Sequence, residues 1–115
     1  MTQYMLLIYG AESEWAALTP DQLSAEMGAY HAYTEEMAKA GVLVAGDELH
    51  PVSTAKTLSV SGGTHKVVDG PFAETKEALG GYYIVNVESQ EDALAWAAKC
   101  PGARYGRIEV RPVVQ

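Results

Sequence analysis

The chain has 115 residues, of which 48% are hydrophobic and 20% are charged, and its formal net charge is −7. This length and composition are typical of one globular domain with a single core, so we expect a single domain over residues 1–115. The 15 acidic residues outnumber 8 scattered basic residues. This balance argues against binding to nucleic acid or to an anionic membrane surface.

The N-terminal residues lack the basic start and the small-residue cleavage site of a signal peptide, and the apolar run at residues 5–8 is too short to cross a bilayer. A cytoplasmic location is therefore expected. Cys100 is the single cysteine, and no Cys/His grouping has the spacing of a zinc site. A phosphate-binding glycine loop is also missing, so neither a metal nor a cofactor is expected.

The first half of the chain predicts a strand, a loop and a long helix. Residues 4–9 form a compact apolar run typical of a buried strand, and a loop is expected over residues 11–18. Thr19 as N-cap, Pro20 at the first helical position and Gln22 closing a capping box predict a helix of about 20 residues that stops at Gly41.

Apolar residues recur along this helix at spacings near three and four, which predicts one stripe facing a sheet. The stripe consists of Leu23, Met27, Tyr30, Thr34, Met37 and Ala38. The charged residues Glu26, Glu35, Glu36 and Lys39 are expected to face water.

The second half predicts five further strands and a second helix. Residues 42–45 read as a strand that ends in a bulge or turn at residues 46–48. Gly62 and Gly63 between the runs 57–60 and 65–68 predict a hairpin. Residues 82–87 are a strand, a helix capped by Ser89 runs to about residue 100, and the last strand ends, or lies at a sheet edge, at Pro112.

This order predicts an α+β fold of the ferredoxin-like βαββαβ type with an inserted β-hairpin. One strand has apolar residues on both faces, whereas the two helices cover one face of the sheet. These residues are Tyr82, Tyr83, Ile84, Val85 and Val87. A second subunit would cover the other face, so a homodimer is expected, and paired sheets would close a dimeric α+β barrel.

Several motifs spread over most of the chain resemble the YCII-related family in its DGPF-containing branch. They are Val67-Val68-Asp69-Gly70-Pro71-Phe72-Ala73-Glu74-Thr75-Lys76-Glu77, Gly80-Gly81-Tyr82-Tyr83, Ala97-Ala98-Lys99-Cys100-Pro101 and Ile108-Glu109-Val110-Arg111-Pro112. The resemblance implies a dimeric α+β barrel and an active-site histidine on the first long helix, often discussed with an aspartate. It also implies a genomic neighbourhood containing genes for extracytoplasmic-function sigma factors.

His31 matches the family's helical histidine, within Tyr30-His31-Ala32. Four residues after Met27, its ring is placed at the edge of the apolar stripe, where it could move protons at a cleft rim near neutral pH. The structural alternative is a partly buried histidine that donates one hydrogen bond. His50 and His65 are expected in a loop and on the surface.

The turn Asp69-Gly70-Pro71-Phe72 is the second candidate site. Asp69 would orient the helical histidine or bind a substrate hydroxyl or amine; the structural alternative is an Asx turn in which it accepts bonds from its own loop. Pro71 and Phe72 would form an apolar wall beside Gly70. Lys76 would attract an anionic group, unless it is an ordinary solvated lysine.

Three functional classes remain open for a protein with an unidentified small-molecule ligand. The first is a cofactor-independent enzyme in which His31 acts as acid or base, in an elimination or isomerisation. The second is a ligand-binding or regulatory module without catalysis, and the third, by analogy alone, is a cofactor-free oxygenase. Cys100 is expected to pack in the core, because the C-terminal end of a helix disfavours a thiolate.

Overall fold

The computed structural model describes residues 1–115 and shows a mixed helix-and-strand fold with antiparallel sheets. In chain order the elements are β1 (Thr2–Gly10), α1 (Glu12–Ala16), α2 (Pro20–Lys39), β2 (Leu43–Glu48), β3 (Lys56–Ser61), β4 (Thr64–Asp69), β5 (Ala78–Val87), α3 (Gln90–Lys99) and β6 (Arg107–Pro112). Short 3₁₀ helices occupy Val52–Thr54 and Pro101–Arg104. None of the helices is both long enough and apolar enough to span a membrane.

The main sheet has four strands in the order β2-β5-β1-β6, and every neighbouring pair is antiparallel. Leu6 lies at the centre, opposite Tyr83 of β5 and Val110 of β6. Because β6 is an edge strand and ends at Pro112, both expectations for this proline are confirmed. Proline lacks the N–H that a central strand would need.

Helix α2 begins where the sequence predicts. The Thr19 hydroxyl accepts a hydrogen bond from the Gln22 N–H at 3.2 Å, and the Gln22 side chain accepts one from the Thr19 N–H at 2.9 Å. This capping box satisfies two backbone donors that the first helical turn leaves free. Helix α3 is capped in the same way by Ser89, whose hydroxyl accepts from the Asp92 N–H at 3.2 Å.

Both long helices pack on one face of the main sheet and enclose the core. The buried hydrophobic residues are Tyr4, Leu6, Tyr33, Met37, Val85, Val87, Ala93, Ala97 and Cys100. Leu6 and Val85 alternate along their strands with residues of the opposite face, as the period of two requires. The Tyr33 hydroxyl joins the two helices by donating to the Trp96 carbonyl at 2.7 Å.

The two long helices do not cover the opposite face of the main sheet, and its central apolar residues are only partly buried. Its central positions are Met5 and Leu7 of β1, paired with Ile84 and Tyr82 of β5. The fold is only 18 Å thick along its shortest axis, which corresponds to one layer of helices on one sheet. We call this uncovered surface the open sheet face.

Strands β3 and β4 form a separate two-stranded sheet, which we call the arm. Gly62 and Gly63 turn the chain with φ angles of 55° and 80°, values that glycine adopts without strain. The predicted hairpin is thus confirmed. The strands of the arm contact mainly each other, so the arm projects from the main sheet.

Two local expectations are wrong. The predicted loop at residues 11–18 contains helix α1, whose Glu12 and Glu14 in the first turn are favoured by the helix dipole. Strand β2 continues through residues 46–48, because Asp47 accepts a hydrogen bond from the Tyr82 hydroxyl at 2.9 Å and Glu48 pairs with Gly81. The irregularity in β2 lies earlier, between Leu43 and Ala45.

The predicted stripe of α2 is confirmed at Tyr30 and Met37 and wrong at Met27 and Ala38, which are exposed. Met27 is exposed, whereas Glu26 faces inward and retains 8% of its accessible surface. Glu26 and Tyr33 join Tyr30 and Met37 at the inward positions, and these four keep helical spacing. Glu26 lies inward because it pairs with residues far along the chain, described below.

Candidate functional site

A concavity of about 420 Å³ lies at the base of the arm, beside the turn that follows β4. Its walls are the chain segments that enter and leave the arm, closed by one residue of α1 and by the start of β5. The lining residues are Glu12, Val52, Ser53, Gly70, Pro71, Ala73, Glu74, Thr75 and Ala78. A pocket of this size accommodates a small molecule.

Hydrogen bonds hold the walls of this concavity in place. Glu12 accepts a bond from the Val52 N–H at 2.9 Å, which ties α1 to the segment before the arm. Gly70 donates its N–H to the Ala55 carbonyl at 2.8 Å, and its own carbonyl accepts from the Thr57 hydroxyl at 2.9 Å. The entering and leaving segments are thus joined across the arm's base.

Gly70 has a φ angle of +104°, a region that residues with a Cβ rarely adopt. A Cβ built at this position would meet no atom within 4 Å. The glycine is therefore required by backbone conformation and not by lack of space. This conformation turns the chain from β4 into Pro71 and shapes one wall of the concavity.

The polar lining of the concavity is acidic and hydroxylic. Glu12 and Glu74 contribute carboxylates, and Ser53 and Thr75 contribute hydroxyl groups. The Thr75 hydroxyl already donates to the Glu77 carbonyl at 2.5 Å. Because no lysine or arginine lines this surface, it is suited to molecules that carry hydrogen-bond donors or positive charge.

The structure separates the sequence-predicted residues of the turn. Gly70 and Pro71 line the concavity, whereas Asp69, Phe72 and Lys76 are exposed and lie outside the lining. The Asp69 carboxylate accepts from the Lys56 ammonium at 2.5 Å across the arm, and its side chain is 84% exposed. The Asx-turn alternative is therefore wrong, since Asp69 pairs across the strands and not with its own loop.

His31 lies on α2 with its side chain exposed, outside the lining of the concavity. Its imidazole makes no hydrogen bond and no ion pair within the chain. The partly buried, hydrogen-bonded alternative is therefore wrong. Within one chain, the structure does not bring His31 to the turn at Gly70 and Pro71.

Cys100 is buried between the helices and the sheet, as a packing role requires. Burial raises the pKa of its thiol, and the thiol lies 3.9 Å from the Tyr30 hydroxyl. Burial also raises the pKa values of Tyr30, Tyr33 and Tyr83. These groups stay protonated at neutral pH, so Cys100 is a poor nucleophile.

Glu26 forms a second polar cluster that sequence reasoning missed. Its carboxylate accepts from the Arg104 guanidinium at 3.1 Å and from the Tyr105 hydroxyl. The hydrogen bond to Glu26 raises the pKa of Tyr105. The cluster joins α2 to the 3₁₀ helix before β6 and compensates a charge that would otherwise be costly to bury.

Sequence reasoning also missed Glu12, Ser53, Glu74 and Thr75 as lining residues. Glu74 and Thr75 follow the Asp69–Phe72 turn directly, so their closeness along the chain was an available signal. Glu12 and Ser53 reach the concavity only through tertiary structure. None of the chain's His, Cys, Asp and Glu side chains forms a group of three or more that could hold a metal ion.

Comparison with known proteins relates nearly the whole chain to one family. A family model described as the YCII-related domain matches residues 2–115. An uncharacterised protein of Rhizobium meliloti (strain 1021) is 37% identical over 112 residues, which cover 96% of this chain and 90% of that protein.

Proposed function

The chain belongs to the YCII-related family, and we propose that it is a small-molecule-binding homodimer of the DGPF branch. The proposed ligand site is the concavity at the base of the arm. The observation that carries this proposal is that Gly70 and Pro71 line a cavity of about 420 Å³. The same turn is the one on which the DGPF resemblance rests.

The lining supports a particular class of ligand. Carboxylates of Glu12 and Glu74 and the free hydroxyl of Ser53 accept hydrogen bonds, while Pro71 and Ala78 supply apolar contact. The proposed ligand is therefore a small polar molecule with an amine or several hydroxyl groups, on an apolar or aromatic body. Lys76 does not line the cavity, so it gives no support to an anionic ligand.

The homodimer is supported by the open sheet face, where Met5, Leu7, Tyr82 and Ile84 are only partly buried. The strand order β2-β5-β1-β6 also supports the ferredoxin-like arrangement, in which the faces of two sheets pack to form an α+β barrel. Pairing two open sheet faces would remove these apolar residues from water.

A thermal-shift screen of amines, amino acids and polyols tests the ligand proposal, because a molecule that binds the native state raises the apparent melting temperature. For any stabilising compound, Glu74→Gln should weaken binding roughly three- to tenfold, since it removes a charged acceptor from the site. Glu88→Gln is the matched control, because Glu88 is exposed and lies outside the cavity. Equal affinities of the two variants would contradict this location.

Acid–base catalysis by His31 is the second candidate function. The observation that favours it is the exposed imidazole with no partner in the chain, which leaves both ring nitrogens available for proton transfer. If turnover of a ligand is detected, His31→Gln should lower the rate roughly 10²- to 10⁴-fold. Cys100→Ser should change the rate little, and equal losses in both variants would reject His31 as the catalytic residue.

A further inference from the structure

Three of the four apolar residues of the arm lie on one of its two faces. Cross-strand pairing places Leu58 opposite Val67 and Val60 opposite His65, all on the same face. Leu58, Val60 and Val67 are each more than half exposed. The other face carries Thr57, Ser59, Ser61, Thr64, Lys66 and Val68.

An isolated two-stranded hairpin is at best marginally stable in water, and it needs a hydrophobic surface to pack against. The arm forms its own sheet and has no ladder to the main sheet. Phe72, which follows the arm, is 91% exposed and enlarges the uncovered apolar surface. The arm therefore lacks, within its own chain, the hydrophobic surface that a two-stranded hairpin needs to pack against.

The size of the uncovered surface fits a second copy of this chain. The accessible surface is 7901 Å², whereas a compact monomer of 12.3 kDa exposes about 6,100 Å². The excess of about 1,800 Å² is roughly twice what each partner contributes to an interface of standard size. The radius of gyration of 16.1 Å likewise exceeds the ~13 Å expected for a compact domain.

The charges on the apolar face of the arm do not oppose this contact. Lys56 and Asp69 form an ion pair across the two strands, on the same face as Leu58 and Val67, so the ammonium and the carboxylate compensate each other there. A second copy is also always present when the chain is present, so it can cover the apolar face of the arm at all times.

We propose that the arm docks on a second copy of this chain through the face that carries Leu58, Val60 and Val67. The inference rests on the proposed homodimer but adds a contact separate from the open sheet face. Because Ser53 lies just before the arm and Gly70 just after it, docking of the arm also steadies the walls of the ligand cavity. The partner subunit thus supports the site without lining it.

Two adjacent valines provide a matched test. Val67 is 59% exposed on the apolar face, and Val68 is 50% exposed on the other face of the same strand. Val67→Thr should raise the dimer dissociation constant roughly tenfold or more, because a hydroxyl would be buried in both copies. Val68→Thr should leave the dimer dissociation constant within about twofold of the wild-type value. Sedimentation equilibrium measures both, and equal effects would overturn the proposal.

Hydrogen exchange in the wild type provides a second test that needs no variant. Peptides covering residues 52–75 should become protected as the protein concentration passes through the dimer dissociation constant. A dimer in which these peptides stay unprotected would overturn the docking of the arm but leave the homodimer intact. A wild type that remains monomeric would overturn both the docking of the arm and the homodimer. A different protein would then have to cover the arm.

Discussion

At the scale of single residues, Glu26 shows what the sequence could and could not predict. Its charge suggested a solvent-facing position, yet it lies inward with Arg104 and Tyr105. These partners are 78 and 79 residues away along the chain, so no local pattern reveals them. By contrast, the Thr19 cap was predictable because its partner Gln22 lies three residues away.

Removing the charge of Glu26 should destabilise the fold. Glu26→Gln keeps the shape of the side chain but replaces charge-assisted hydrogen bonds with weaker ones, at a cost of about 1–3 kcal/mol in the free energy of unfolding. Glu36→Gln, which breaks the exposed pair with Lys99, should cost less than about 1 kcal/mol. Urea denaturation measures both changes, and equal small losses would show that the Glu26 cluster contributes little.

The buried tyrosines predict a loss of stability at high pH. Burial raises the pKa values of Tyr30, Tyr33 and Tyr83, so the native state holds these protons more tightly than the unfolded state. Their contribution to stability is fully present below the unfolded pKa of about 10 and declines as the pH rises above it. The phenolate absorbance of these three tyrosines should therefore appear together with unfolding, and titration of all three in the native state would contradict this.

At the scale of elements, the helices and strands follow local signals, whereas their contacts do not. The ends of α2, the cap of α3 and the hairpin turn were predictable from Thr19, Ser89 and the pair Gly62-Gly63. Helix α1 was missed because it is short and has no side-chain cap. The cavity walls could be predicted only at Gly70 and Pro71, since Glu12 and Ser53 reach them through the tertiary fold.

The turn after β4 provides a test at this scale. Gly70→Val should lower the free energy of unfolding by about 1–3 kcal/mol and weaken ligand binding, because a β-branched residue is strained at positive φ. Gly10→Val is the matched control: a Cβ there also meets no atom within 4 Å, but the φ angle is not positive. Denaturation midpoints should fall only for the Gly70 variant, and a fully stable Gly70→Val would contradict the argument.

At the scale of the whole molecule, the single chain leaves much apolar surface exposed. Only 12 of the 115 residues are buried, and the open sheet face and the arm both lack cover. The apolar character of residues 82–87 on both faces of β5 signalled the first of these surfaces. The exposed surface of the arm was not predictable. A hairpin pattern in the sequence does not tell whether its two strands will join the main sheet or form a separate sheet.

These surfaces predict a stable homodimer. Sedimentation velocity at micromolar concentration should give a dimer mass, since burial of the open sheet faces removes apolar area from water in both copies. High salt should not weaken the dimer, because apolar contact is not screened and the two subunits carry net charge of the same sign. A monomer at all accessible concentrations would refute the assembly.

The most direct test of the central claim is a backbone amide NMR spectrum recorded during titration with small amines, amino acids and polyols. Saturable shift changes are expected at the backbone amides that line the cavity at the base of the arm, among them those of Glu12, Ser53, Gly70, Ala73, Glu74 and Thr75. Saturable changes confined to other parts of the chain, or no saturable change with any of these compounds, would contradict a ligand site at this cavity.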